Sequence, residues 1–565
     1  MQAAAPPIVL GRQNPLAKRS RSSKRPLPSP ITPFFAVVSA YFLACLALGG
    51  GTRAGFLSDV VLQLLAVPLL LWAGWRLADL PPDEGGKQAR IAMLVCLLAM
   101  TVPMLQLVPM PPALWTALPG RADFVSNLGL IGLDADWRPM SMSPRGTWLS
   151  ALALLPPAAV LLGALQLNFA DRRRLAVLFL AFGLVAAGLG LLQVAQGTTS
   201  PLRFYAFTNL TESVGFFANR NHHAALLYSL VPIAAAVSIA AAIRTMRASS
   251  LRARRAEMGL SVAVLGFASV VVFVAAQATA RSRAGLVLTF IALLGAVAMT
   301  YAMWASRRAA VTEVPRRSLA GTGRLVLMAA FGFAVFFGAQ IALNRMQDRF
   351  ASEIMKDGRV PLARNTVEAA LAYMPLGSGM GSFVPVYQAF EKPADNFDAL
   401  INRAHNDYLE LWLEAGLIGI VAIVLFIAWL VAASVRVWRQ GLQGARLRDN
   451  LLACAATLII ALLLAHSFLD YPLRTTAMMA VFALSVAMII PPVGPPAASP
   501  SDALTETAEP SEPQPVQPHR RAEEGASSAR FSPATPRDDW PVAWQAPKAP
   551  DPNKIYLTKA EVEKD

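Results

Sequence analysis

The feature that most constrains this chain is a repeat: about twelve runs of mostly apolar residues, each close to the roughly 20 that an α-helix needs to cross a bilayer core. They lie near 34–51, 57–78, 91–109, 148–168, 175–196, 222–243, 258–279, 285–305, 324–344, 416–435, 450–468 and 474–490. Lipid offers the backbone no hydrogen-bond partners, so runs of this length fold as helices. The expected fold class is all-α, a polytopic integral membrane protein. Pro103 and Pro109 interrupt the third run, the weakest, and Pro68 bends the second. Hydrophobic residues make up 55% and charged residues 15%. Soluble domains run near 45–50% and 25%, so a single soluble domain is excluded. The three cysteines, Cys45, Cys96 and Cys454, all lie inside apolar runs. They read as packing thiols rather than bridges or metal ligands.

Charge fixes the expected orientation. With the amino terminus inside, the inside segments hold 26 Lys and Arg, and the longer outside segments hold 16. Arg172-Arg173-Arg174 and Arg307-Arg308 are typical inside runs. This is the positive-inside pattern, and it puts both termini in the cytoplasm. Residues 1–33 form a basic cytoplasmic arm without acidic residues, and no secretory cleavage site follows. Residues 34–490 form the membrane domain. Residues 491–565 hold 15 of the 42 prolines and read as a disordered cytoplasmic tail.

Two outside loops are long, near 110–147 and 345–415. Long loops within compact domains usually carry function. The second begins with an amphipathic stretch (Arg345 to Lys356) and a helical pattern (Arg359 to Tyr373). It continues through a glycine-rich turn, Gly377–Gly381, to Arg403-Ala404-His405-Asn406-Asp407. That turn reads as a tight turn, since no phosphate-loop lysine follows. Asp134 and Asp136 in the first long loop read as a chance pair.

Four of the five histidines, His222, His223, His405 and His466, fall at outer-face positions, as do Arg220, Arg281, Arg283 and Arg403. Arginine there opposes the inside bias, and charge at membrane level usually has a purpose. Arg281 and Arg283 sit at an expected helix start, where cations oppose the macrodipole. Such a conflict is tolerated where an anion compensates. His222 and His223 lack zinc-ligand spacing and read as capping or interfacial packing. Asp407, Glu410 and Glu414 share one helical face; they orient His405, bind an acceptor, or form a solvated helix start. Asp470 has Arg474 at i+4 as its expected mate.

The stretch Ala404-His405-Asn406-Asp407-Tyr408-Leu409-Glu410 through Gly419 resembles the signature of the O-antigen ligase and polymerase superfamily of bacterial membrane glycosyltransferases. Ala280–Gly285, Gly215–His222, Gly377–Gly381 and His466–Tyr471 fit the same pattern, so the resemblance covers roughly residues 200–475. It implies transfer of a glycan from undecaprenyl diphosphate to an acceptor hydroxyl at the periplasmic face of the inner membrane, without a cofactor or metal. The acceptor would be a glycan, lipid A core or a protein hydroxyl. By family position, Arg220, Arg281 and Arg283 are candidates for the diphosphate clamp, with Arg283 the better match, and His405 for the general base. Asn406 and Asp407 are expected to fix its tautomer. Arg403, Asp407, Glu410 and Asp470 complete the candidate substrate-binding set. The chemistry fits, since arginine forks pair with phosphate oxygens and histidine suits proton abstraction. The rival readings are a membrane transporter of the bicarbonate-carrier type and a protein O-oligosaccharyltransferase. No inverted repeat favours the transporter.

Overall fold

The computed structural model describes residues 31–52, 55–247, 253–309, 358–393, 401–440 and 447–492. The expected span at 324–344, the stretch Arg345 to Lys356, nearly all of the basic arm and nearly all of the tail lie outside the described residues. Among those described, nine helices are long and apolar enough to cross a membrane. Two shorter apolar helices accompany them, α1 (Pro33–Leu48) and α14 (Thr476–Ile489). The protein is an all-α, polytopic membrane protein, with one two-stranded antiparallel ladder pairing Pro109–Met110 with Arg138–Pro139.

The first helices after α1 are α2 (Leu57–Ala78) and α3 (Glu84–Gln106). The third run expected at 91–109 begins earlier because Asp83 caps it, its side chain accepting from Gly86 N at 2.7 Å. Pro103 is accommodated inside the helix. The fourth expected run is two helices, α4 (Pro144–Leu152) and α5 (Leu155–Leu165). Pro156 and Pro157 cannot continue the upstream hydrogen-bond ladder, so the chain restarts there with proline in its first turn.

The inner helices are α6 (Phe169–Ala195), α7 (Arg220–Arg247), α8 (Ala253–Ala280) and α9 (Arg283–Ala309). α7 is the axis of the bundle, packed against α8, α9 and α13 (Leu447–His466). Its residues from Ala224 through Ala236 are buried all round. Gly183 lets α6 approach α7 so closely that a Cβ there would lie 2.1 Å from Leu230 Cδ1. Small residues at helix contacts are the expected device in lipid, where packing drives association. α2 and α3 instead expose Leu64, Leu71, Trp75, Leu94 and Leu98, the faces that meet lipid.

Two further helices, α10 (Arg359–Ala372) and α11 (Phe383–Phe390), build a small lobe whose core includes Leu362, Tyr373, Phe383, Tyr387 and Leu413. α12 (Asp407–Gln440) follows, and at Gly416 it breaks, with φ 56° and ψ −138°. Residues 407–415 therefore form a separate segment on the lobe side. The run expected at 416–435 is the part beyond the break.

The two ends of the bundle differ. At one end the start of α6 carries Arg172, which is buried. Its guanidinium donates to the carbonyls of Ala164, Leu165, Leu167, Ala487 and Ile490. These carbonyls lie at or just past the carboxyl ends of α5 and α14, so one cation ties α5 to α14. Arg76, Arg90, Arg173 and Arg436 lie at this same end. At the other end meet the carboxyl ends of α1, α8 and α13 and the amino ends of α2, α7, α9, α12 and α14, where the candidate site residues collect.

Candidate functional site

Among the described residues, two non-glycine residues hold a left-handed backbone: Arg281 (φ 50°) and His405 (φ 49°). Left-handed geometry at a residue with a Cβ costs of the order of 1–3 kcal/mol, and such residues cluster at functional sites. Both were singled out from the sequence.

His405 occupies the turn before α12. Its Nδ1 lies 3.1 Å from Asp470 Oδ1, and its side chain is partly exposed. Asp470 is fully buried, one turn past the end of α13, with its N–H donating to His466 O at 2.9 Å. Asn221 Nδ2 donates to Asp470 Oδ2, Tyr471 N donates to Oδ1 at 3.0 Å, and Arg359 lies 3.9 Å from Oδ2. Burial works against charge on Asp470, yet the hydrogen bond to His405 and the imidazoles around it hold its carboxyl well below the usual range. Tyr471 packs edge-on against the rings of His405 and His222, each centroid 4.9 Å away. Burial, first, and the charge of Asp470 push its phenol up to about 12, so it stays a neutral donor.

The expected pairing of Asp470 with Arg474 is not what the structure holds. Arg474 instead meets three carboxylates: Asp407 at 3.4 Å, Glu410 at 3.5 Å and Glu414 at 3.0 Å. The spacing of those acids does place them on one face, and that face is turned to Arg474. Arg403 adds a second cation, 2.8 Å from Glu410 Oε1, while Glu410 Oε2 accepts from Ala404 N at 2.9 Å. Glu410 thus braces the turn that carries His405. Asn406 and Asp407, expected to fix the His405 tautomer, are engaged elsewhere. Asn406 Oδ1 caps α12, accepting from Tyr408 N and Leu409 N at 3.0 and 3.1 Å. Asp407 Oδ2 accepts from Ser467 Oγ at 2.8 Å. Asp470, rather than Asn406 or Asp407, lies against Nδ1 of the ring, so Nε2 is the nitrogen that this carboxylate leaves unengaged.

The glycine-rich turn seats the break in α12. Ser378 N donates to Leu413 O at 2.8 Å, Gly379 N to Glu414 O at 3.0 Å, and Leu417 N to Pro375 O at 2.8 Å. These satisfy carbonyls and an amide that the break would otherwise orphan. A Cβ on Gly416 would lie 2.2 Å from Pro375 O, so the close approach of the two backbones requires glycine. The turn is structural, as its sequence indicated.

Arg220 opens α7. Its amide donates to Asn209 Oδ1 at 3.0 Å, and its guanidinium pairs with Glu212, which is largely buried. Sequence reasoning missed Glu212; the signal was available, because it is the one acidic residue between Gly197 and Arg220. Asn221, also missed, joins the start of α7 to the Asp470–His405 pair. Arg281 is exposed in the turn between α8 and α9, and Arg283 is the first residue of α9. Ser282 caps α9 through Gly285 N, 3.1 Å from its Oγ. A Cβ on Gly285 would lie 2.6 Å from Ala224 Cβ, so this glycine brings the start of α9 hard against α7. Ser213 Oγ, 3.0 Å from Thr279 Oγ1, ties the segment before α7 to the end of α8. The structure thus draws the elements bearing Arg220, Arg281, Arg283 and His405 to one end of the bundle.

His222 and His223 are buried with ring nitrogens that find no protein partner, and His466 Nδ1 lies 3.0 Å from the Tyr228 hydroxyl. Among the described residues no three His, Cys, Asp or Glu side chains are placed to share a metal.

Residues 268–424 match the family model described as O-antigen ligase. The matched segment runs from within α8 to just past the break in α12. It includes Arg281, Arg283, Arg403, His405, Asp407 and Glu410, and leaves out Arg220 and Asp470. No curated protein matches the chain.

Proposed function

We propose, from the match of residues 268–424 to the O-antigen ligase family model, that the chain transfers a glycan from undecaprenyl diphosphate to an acceptor hydroxyl at the periplasmic face of the bacterial inner membrane. The observation that carries this reading is His405, held in a left-handed backbone, with Nδ1 on the carboxylate of a buried aspartate. In the proposed step the acceptor oxygen forms a bond to the anomeric carbon of the donor glycan. Its proton passes to Nε2 of His405, with Asp470 orienting the ring and stabilising the imidazolium. The bond from that carbon to the diphosphate oxygen breaks, and the electron pair leaves with the lipid diphosphate. Arg220 and Arg283, with Arg281, stabilise the charge that builds there, as fixed cations do in a water-poor site. A diphosphate leaves readily, so no general acid is required.

The orientation follows the charge. Arg76, Arg90, Arg172, Arg173, Arg174 and Arg436 lie at the bundle end opposite His405, and basic residues favour the cytoplasmic side. That supports a periplasmic position for the His405 end and cytoplasmic termini.

The test is a transfer assay with the purified full-length chain, a lipid-diphosphate glycan donor and a hydroxyl acceptor. Arg220→Ala and Arg283→Ala each lose about 2–4 kcal/mol of transition-state stabilisation, and Lys restores only part because it lacks the fork. Full activity in both Ala variants overturns the clamp.

A further inference from the structure

The apolar surface of α3 does not stop where the helix stops. Leu94, Leu98 and Leu105 form its lipid-facing stripe, and Val108 continues that stripe into the loop. α3 has 23 residues, about 34 Å at 1.5 Å per residue, against a hydrocarbon core of about 30 Å. Its two ends therefore lie at the two membrane surfaces. Exposed tryptophans mark the same two levels, where indole rings favour the membrane interface. Trp75 stands near the end of α2 that leads into α3, and Trp148 on α4, which packs against α3.

Just beyond α3, Met110 pairs with Arg138 in the ladder. That pairing brings the far part of the first long loop back to the level at which α3 leaves the lipid. Every residue from 129 to 137 is exposed, with Leu130 at 83%, Ile131 at 66% and Trp137 at 66%. This crest is a built one. Ile131 N and Leu133 N both donate to Leu128 O, at 3.1 and 3.0 Å. Gly132 takes a left-handed backbone, φ 71°, and Trp115 Nε1 donates to Asp136 O at 2.9 Å. A backbone fixed so that two branched aliphatic side chains and an indole stand exposed presents an apolar surface for contact.

The surroundings say what it contacts. The ladder joins the crest to the lipid-facing stripe of α3, so the surface at its base is already lipid. Its acids suit the headgroup level. Asp136 lies 3.9 Å from Arg138, and Asp134 bars deeper entry because a carboxylate is costly in hydrocarbon.

We propose that residues 129–137 are an interfacial anchor, with Leu130, Ile131 and Trp137 inserted into the lipid leaflet on the His405 side. The same loop is fastened to the glycine-rich turn. Met142 N donates to Ser378 O at 2.8 Å, and Thr147 Oγ1, just past the loop, donates to Met380 O at 2.6 Å. The anchor thus sets the height above the bilayer of the turn that seats α12. It does not depend on the transfer reading.

The test is depth. The full-length chain carries Cys96→Ala, its other two cysteines being buried. Leu130→Cys, Ile131→Cys, Ser126→Cys and Asn127→Cys are made singly in it, spin-labelled, and placed in nanodiscs of phosphatidylethanolamine and phosphatidylglycerol. Labels at 130 and 131 should collide more with oxygen than with a water-soluble nickel chelate, at a depth of about 5–10 Å inside the headgroup boundary. Labels at 126 and 127, exposed on the polar face of the short helix Ala122–Gly129, should show the reverse. The unaltered chain gives a second reading that needs no substitution: a phosphatidylcholine with a diazirine on its acyl chain should label 130–137 and spare 122–127. Labels at 130 and 131 that meet the chelate more than oxygen lie in water and overturn the proposal. Labels shielded from both are covered by protein and overturn it too, as does lipid photolabelling that misses 130–137 or spreads evenly over 122–137.

Discussion

Arg220 and Arg474 stand at the same end of one bundle and are held in opposite ways. Arg474 is 15% exposed at its side chain and faces three carboxylates, two of them fully buried. Arg220 is 31% exposed and, among the described residues, pairs with Glu212. The first arrangement surrounds its cation with acids on α12, so that cation is consumed in holding the His405 turn to α14. The second is balanced one to one and open, so an incoming anion can share its guanidinium. Arginine at a membrane surface thus has two uses here, and the number of carboxylates around each separates them.

If that distinction is right, the two arginines differ most in stability. Arg474→Met strands the buried Glu414 and takes one of two cations from Glu410, and should destabilise the protein by about 3–5 kcal/mol, the usual cost of breaking a buried pair from one side. Arg220→Ala removes a partly exposed pair and should cost about 1 kcal/mol or less. Thermal unfolding in detergent compares them; equal losses erase the distinction. Next in size is the break in α12. Gly416→Ala forces a Cβ onto Pro375 O in a left-handed backbone, at a cost of about 1–3 kcal/mol, measured in the same way. A neutral outcome would mean that the turn and the helix separate easily.

Asp470 gives no visible change of stability with pH near neutrality, and its effect appears only in acid. Its carboxyl is held below its ordinary value of about 3.9, so the folded state disfavours its protonation. The stability it contributes is fully present above about pH 4 and is lost as pH falls from there through its lowered value. Asp470→Asn should therefore flatten the loss of stability below about pH 4 by at most about 1.4 kcal/mol per pH unit. Denaturant midpoints taken across that range check it, and an unchanged slope removes the charged Asp470 from the account.

Much of this was legible in the sequence for local reasons. Span positions follow from apolar runs, the shared face of Asp407, Glu410 and Glu414 from helical spacing, and the structural character of Gly377–Gly381 from its composition. What escaped depends on contacts between distant segments. Arg474 lies four residues from Asp470, yet it meets Glu414, 60 residues away in sequence, because a turn separates α13 from α14 and the lobe side of α12 lies against it. Arg172 looked like one of three inside arginines, and only the convergence of α5 and α14 shows it to be buried. The break at Gly416 falls at the first residue of the expected run 416–435, and the donors that seat it lie some 35 residues upstream, so the apolar pattern alone does not show it.

The central claim is that His405 takes the acceptor proton, and one substitution tests it most directly. His405→Gln keeps size and polarity, and its amide cannot accept the proton. In the purified transfer assay with donor and acceptor saturating, the account predicts a rate loss of about 10²–10⁴-fold, with donor binding retained. Near-wild-type turnover by the Gln variant would contradict it.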